Sequence, residues 1–188
     1  YLFLSALMAQ NQEIDSLLIL YNDAPHDTLK IELLNEEIGL YYERHNTDSA
    51  IYYYELAIEL ADKNIQELSG QNARLTNKFL VHKASSLRYK GILYYDEGNY
   101  DNALESFQLS LKIFEKIHTS ATTEKQKYIG HSGMAQCYNN IGNIHYDHAN
   151  YDKALEYFFK AYDINEKIGN KRAITGLLTN IGCLLYTS

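Results

Sequence analysis

Two short stretches carry side chains whose types and spacing could do chemistry. Asn139, Asn140 and Asn143 form an Asn-Asn-x-x-Asn run. Each carboxamide can both donate to and accept from a peptide backbone. Asparagine is a mediocre helix former, so three of them here imply a use: contact with an extended ligand, or bridges between adjacent helices. Close behind, His145, Asp147 and His148 offer two imidazoles at i, i+3 beside a carboxylate. Zinc takes three or four protein ligands, and the sequence has no second cluster with suitable spacing, so His145 reads as a packing residue. Tyr52, Tyr53 and Tyr54 suggest an aromatic cage for a cation, and Glu36 and Glu37 suggest paired carboxylates. Adjacent residues on a helix point apart, however. No phosphate-binding glycine loop, nucleophile elbow or His–Glu metal motif occurs. The chain reads as a non-enzyme with no catalytic residues, no metal and no cofactor.

The elements that must position these side chains are helices. Pro25 is the only proline in 188 residues, and proline is the residue that helices tolerate least. Hydrophobic residues at 46% supply a core, with 18 Tyr and no Trp, so tyrosine provides much of its bulk. The net charge of -7 and the scattered Lys and Arg residues argue against nucleic acid, which demands a basic stripe. Cys137 and Cys183 have neither metal-type nor CxxC spacing.

Internal similarity organises the rest. Gly39, Ala50, Tyr54 and Ala57 recur as Gly91, Ala103, Phe107 and Ser110, and again as Gly142, Ala154, Phe158 and Ala161. A fourth copy begins at Asn180-Ile181-Gly182. Glycine in mid-helix costs about 1 kcal/mol against alanine, which makes sense where a neighbouring helix approaches the backbone. Ala103 and Ala154 are small for the same reason on the facing helix. Tyr54 falls in the apolar slot of that second helix and reads as core, with Tyr52 and Tyr53 flanking it. Gly98-Asn99 and Ala149-Asn150 read as tight turns, Asn46-Thr47-Asp48 as a turn one residue shorter, and Gly169-Asn170 as a left-handed stop. Asp101 and Asp152 fall in first helical turns, where the dipole favours a carboxylate. The pattern predicts helices near 12–21, 27–45, 48–67, 72–97, 100–117, 123–148, 151–168 and from 171.

This order of small and aromatic residues resembles the tetratricopeptide repeat family. The second copy places Leu87, Gly91, Tyr94, Gly98, Tyr100, Ala103, Phe107 and Ser110 in the family's slots; the third places Tyr138, Ile141, Gly142, His145, Ala149, Tyr151, Ala154, Phe158 and Ala161. The intervals between the repeating alanines, 53 and 51, exceed the family's usual ~34, and long helices over 72–96 and 123–147 account for the surplus. The resemblance implies an all-α, right-handed superhelical solenoid of antiparallel helix pairs over 27–182, divided near 27–69, 70–118, 123–169 and 171–182, with a capping helix and loop at 10–26. It further implies a concave groove lined by the first helix of each pair. Arg88 and Tyr95 would face it from the second copy, Asn139, Asn140, Asn143 and Tyr146 from the third, and Asn180 from the fourth. The expected partner is a protein or peptide. The paired lysines that some members use to clamp a terminal carboxylate are absent; only Arg88 fits.

The apolar run Leu2–Ala9, followed abruptly by polar Gln10, reads as the tail of a secretory leader over 1–9; the alternative is the start of an amphipathic helix continuing through Ile14, Leu17 and Leu18. Residues 183–188 equal the translation of a sequencing-library adapter, so they read as non-native. Exported repeats of this elongated type resemble the amino-terminal sensor regions of bacterial signalling proteins, which places the chain outside the cytoplasm as part of a larger receptor. A cytoplasmic scaffold is the alternative. An open fourth copy would leave an apolar helix face uncovered and favour self-association.

Overall fold

Helix boundaries follow the few breakers in the sequence. The computed structural model describes residues 2–187, with side chains described for 12–185. Helix α1 (Leu2–Asp23) stops ahead of Pro25, and α2 (Asp27–Leu33) continues through a π-helical turn (Leu34–Ile38) into α3 (Gly39–Glu43). Then follow α4 (Thr47–Leu68), α5 (Ala73–Asp96), α6 (Tyr100–Thr119), α7 (Glu124–Asp147), α8 (Tyr151–Lys167) and α9 (Lys171–Thr187). Among the described residues there is no strand, and the fold is an all-α helical repeat, as expected. Most boundaries fall within a residue or two of the predicted ones. The exceptions are α1, which starts well before residue 12, and the π-helical turn inside the segment 27–43. The side chains of residues 1–9, on which the leader reading rests, lie outside the described residues.

Three turns share one construction. At Gly98, Ala149 and Gly169 the backbone is left-handed, with φ of 74°, 55° and 70°. The next N–H reaches back to the helix in each case: Asn99 to Tyr94 O at 2.8 Å, Asn150 to His145 O at 2.8 Å and Asn170 to Asn165 O at 2.9 Å. Two inner bonds, Gly98 to Tyr95 O and Ala149 to Tyr146 O, are both 2.9 Å, and Gly169 to Glu166 O is 3.1 Å. This is the Schellman closure, which satisfies carbonyls that a helix end would otherwise orphan. Only Ala149 pays the Cβ penalty of that conformation. Side-chain caps open the following helices: Asn46 accepts from Ser49 N (2.8 Å), Asn72 from Leu75 N (3.0 Å), Thr123 from Gln126 N (3.2 Å) and Asn170 from Ala173 N (3.2 Å). Each such cap stabilises by about 1 kcal/mol. The first turn is therefore Arg44-His45-Asn46, just ahead of the expected Asn46-Thr47-Asp48, because Asn46 serves as cap rather than as turn residue.

The chain forms two compact units, residues 1–93 and 94–188. In the first, Ile14 of α1 joins Ile31, Leu34, Ile38 and Tyr41, the alanines Ala57 and Ala61 of α4, and Phe79 of α5 in one buried cluster. Leu17, Leu18 and Tyr21 pack against it from α1. Asn35 is buried too, and the Ser86 hydroxyl donates to its Oδ1 at 2.8 Å. The pairing satisfies a buried polar side chain within the π-helical turn, a rare single-turn bulge inside an otherwise α-helical segment. Salt bridges Lys83–Asp62 (2.6 Å) and Lys90–Glu55 (3.2 Å) tie α5 to α4.

In the second unit Ala154, Phe158, Ala161, Leu177, Ile181 and Leu184 form the core where α8 meets α9, with Tyr138 of α7 packed against it. Two of the mid-helix glycines, Gly39 and Gly142, do what their cost demanded. A Cβ on Gly142 would lie 2.6 Å from Cε1 of Phe158, and one on Gly39 would lie 2.5 Å from Cε1 of Tyr54. Both rings are fully buried, a contribution of about 1.5–3 kcal/mol each. The same device recurs at two glycines the sequence reading did not single out: Gly133 lies under the Phe114 ring, and Gly130 under His118.

Candidate functional site

Six of the seven groove candidates lie in the second unit; Arg88 lies in the first. Arg88 is half-buried, its guanidinium carbon 4.4 Å from the centre of the Tyr89 ring, a stacking arrangement that leaves the planar fork available for an acceptor.

On α7 the asparagines divide into two roles. Asn180 of α9 donates from Nδ2 to Oδ1 of Asn139 at 3.3 Å, so this pair bridges neighbouring helices. Asn140 and Asn143 stand one turn apart and are half-buried. The Nδ2 of Asn140 is buried and has no hydrogen-bond partner among the described residues, a state that costs about 1–3 kcal/mol where nothing compensates it. Beyond them Tyr146 is 38% exposed, its ring 6.0 Å from that of Tyr151.

The carboxyl end of α7 carries a cluster that no single segment of sequence reveals. Asp147 accepts from the Tyr100 hydroxyl at 3.4 Å, and its carboxylate lies close enough to act on the Tyr95 phenol. Burial, and then the Asp147 carboxylate, push the Tyr95 phenol well above the ordinary tyrosine range, because ionising it would place two anions side by side. The Tyr95 and Tyr100 rings meet edge to face at 5.8 Å, and His148 meets Tyr100 at 4.8 Å. The only clue in sequence was that aromatic residues flank both turns.

The other chemical candidates resolve into packing. His145 stacks on Tyr157 at 5.4 Å while His148 goes to Tyr100, so the two imidazoles engage different rings. Among the described residues no three His, Cys, Asp or Glu side chains converge. Tyr54 is fully buried and donates to Glu43 at 2.6 Å, Tyr53 stacks on Tyr42 at 5.1 Å, and Tyr52 is 60% exposed. Glu36 and Glu37 are both exposed.

A fold of stacked helix pairs, with a glycine of the first helix seating an aromatic of the second, defines a helical-repeat scaffold. Two family models of the tetratricopeptide repeat match residues 90–117 and 134–168, so the chain carries tetratricopeptide repeats. It is similar to the human protein O-mannosyl-transferase TMTC1, with 30% identity over 105 residues, 47% of this chain and 12% of that protein. This chain thus spans a small part of that relative's length. Among solved structures it resembles BtubC (BKLC) from P. vanneervenii, with a TM-score of 0.67 and 17% identity over 96% of this chain and 64% of that one, a likeness of fold. Repeats of this family are protein–protein interaction modules and typically non-enzymatic scaffolds. No described helix is long and apolar enough to cross a membrane.

Proposed function

We propose that the chain binds an extended peptide segment of a partner protein along α7, through the carboxamides of Asn140 and Asn143, with Tyr146 as an apolar flank. The observation that carries this reading is that Asn140 and Asn143 are part-exposed one turn apart and that Asn140 Nδ2 has no acceptor within the fold, so that turning this carboxamide toward a ligand carbonyl breaks no internal bond made by that donor. Asn139 and Asn180 hold α7 and α9 in register beside it. Selection of a displayed library of random 12-residue peptides against the chain, followed by calorimetry, tests it. Replacing Asn140 and Asn143 together by Ala should weaken selected peptides by about tenfold, since each lost hydrogen bond is worth about 0.5–1.5 kcal/mol. Undiminished binding to the double variant would end the proposal.

In its wider setting this repeat is the extracytoplasmic sensor portion of a larger bacterial signalling protein. The support is the apolar run Leu2–Ala9 ahead of a polar stretch and the long-helix spacing of the repeats. Reading the gene upstream of Tyr1 for an initiator Met and a lysine-bearing leader, with fractionation of the intact protein, separates this from a cytoplasmic scaffold.

A further inference from the structure

At one place the second unit builds a cation site from its own residues. The Lys160 ammonium sits 2.6 Å from the Glu156 carboxylate, 5.0 Å from the centre of the Tyr157 ring and 5.9 Å from that of Tyr138. The end of α7 holds the same ingredients without a cation. There the Tyr100 hydroxyl donates to Asp147, and the Tyr95 and His148 rings meet Tyr100 edge to face. After burial, the Asp147 and then the Asp96 carboxylate raise the Tyr95 phenol, so both negative charges lie close to that ring. The tyrosine pair recurs one repeat later: Tyr146 and Tyr151, rings 6.0 Å apart, stand 51 residues after Tyr95 and Tyr100. Asp147 directly follows Tyr146 in the chain, so it belongs to one pair by contact and to the other by adjacency. Asp96, Asp147 and Tyr146 are exposed, and Tyr95, Tyr100 and Tyr151 are half-buried. Among the described residues neither carboxylate has an ion-pair partner, and no Lys or Arg stands over any of the four tyrosine rings.

We infer that this aromatic and acidic corner takes a Lys or Arg side chain of the bound peptide, an assignment that rests on the peptide lying along α7. Asp147 stands one turn beyond Asn143, and Asn143 one turn beyond Asn140, so the three share a helix face. A peptide held by the two carboxamides reaches the carboxylate as it runs toward the end of α7. Tyrosine ring faces attract a cation, and a carboxylate beside them adds direct Coulomb attraction. The net charge of -7 draws a basic ligand from a distance as well. An acidic peptide would instead meet Asp96 and Asp147 as like charges. The ligand class is therefore a basic peptide, with its cation placed beyond the stretch that the asparagines hold.

Peptides selected from the random displayed library against the full chain should share a Lys or Arg at one position. For a selected peptide measured by calorimetry, Asp147→Asn should weaken binding by about threefold, the contribution of an exposed ion pair, and the loss should shrink as salt rises. Tyr100→Leu should weaken it by about threefold through the lost ring face. Asparagine keeps an acceptor for the Tyr100 hydroxyl, so Asp147→Asn should leave the Tm unchanged. Replacing the peptide's shared basic residue by Gln should erase the difference between the parent protein and Asp147→Asn, which locates that residue at the carboxylate. Selected peptides without a common basic residue would overturn the assignment. So would peptides that the joint Asn140→Ala and Asn143→Ala change weakens but Asp147→Asn does not, with peptide binding along α7 left standing. Indifference to the joint alanine change would remove that binding mode, and this assignment with it.

Discussion

Gly142 and the ring of Phe158 compete for one space: a methyl group on the glycine would stand 2.6 Å from Cε1 of the aromatic. Gly39 and Tyr54 stand in the same relation. Phe158 is 1% exposed, so it has nowhere to swing.

Alanine should therefore act in opposite directions at equivalent positions. Gly142→Ala should lose about 1–3 kcal/mol through overpacking, outweighing a helix-propensity gain of about 1 kcal/mol. Gly182→Ala keeps that gain, because nothing lies near its Cβ. Urea melts of the two variants should bracket the parent protein, and Phe158→Leu should partly rescue Gly142→Ala.

Ala149→Gly should stabilise the chain by about 0.4–1 kcal/mol. Its φ of 55° is left-handed, and Gly98 and Gly169 already hold glycine in the same closure; relieving the Cβ conflict outweighs the added freedom of the unfolded chain. Thermal unfolding provides the check, with Gly98→Ala expected to move the Tm the other way.

Removing one partner of the Asn35–Ser86 pair should cost about 1–3 kcal/mol, the price of a buried polar group left unmatched. Asn35→Ala and Ser86→Ala should be strongly non-additive in a double-mutant cycle, and additive losses would show that the pair does not act as a unit.

Acidification should destabilise the fold. Burial holds His82, His131 and His145 below the ordinary histidine value of 6.5; at His82 the Glu32 carboxylate opposes this and Lys78 adds to it, while His118 and then Lys167 add to it at His131. A group whose folded pKa is depressed lends stability that is complete above 6.5 and is lost as pH falls through its folded value. His82 is the most buried of the three, and there the cost of burying the charged ring outweighs the Glu32 carboxylate 3.5 Å away, which favours protonation. Unfolding free energy measured between pH 7 and pH 5 should decline, and His82→Leu should flatten that decline.

What could be read from sequence was whatever one residue type signals alone. A glycine inside a helix, an alanine opposite it and an aromatic four positions later announce a close crossing, and Gly98, Ala149 and Gly169 announce turns. The π-helical turn was hidden because its buried polar member, Asn35, is explained by Ser86, 51 residues away. Tyr95 and Asp147 are likewise intelligible only as a pair. Gly130 and Gly133 were overlooked because the copies were aligned from Gly142 onward, whereas these two glycines seat His118 and Phe114 of the preceding helix. Among the asparagines, Asn139 and Asn180 took the bridging alternative, and no spacing rule separates them from Asn140.

The three Schellman closures carry a consequence for how such a chain can vary. Each is completed by residues within six positions of one another, so a turn neither senses nor constrains the far ends of the helices it joins. Helices α5 and α7 could thus reach 24 residues while α8 has 17, with Gly142 still beneath the Phe158 ring. Length is free to drift at one end because registration is locked at the other.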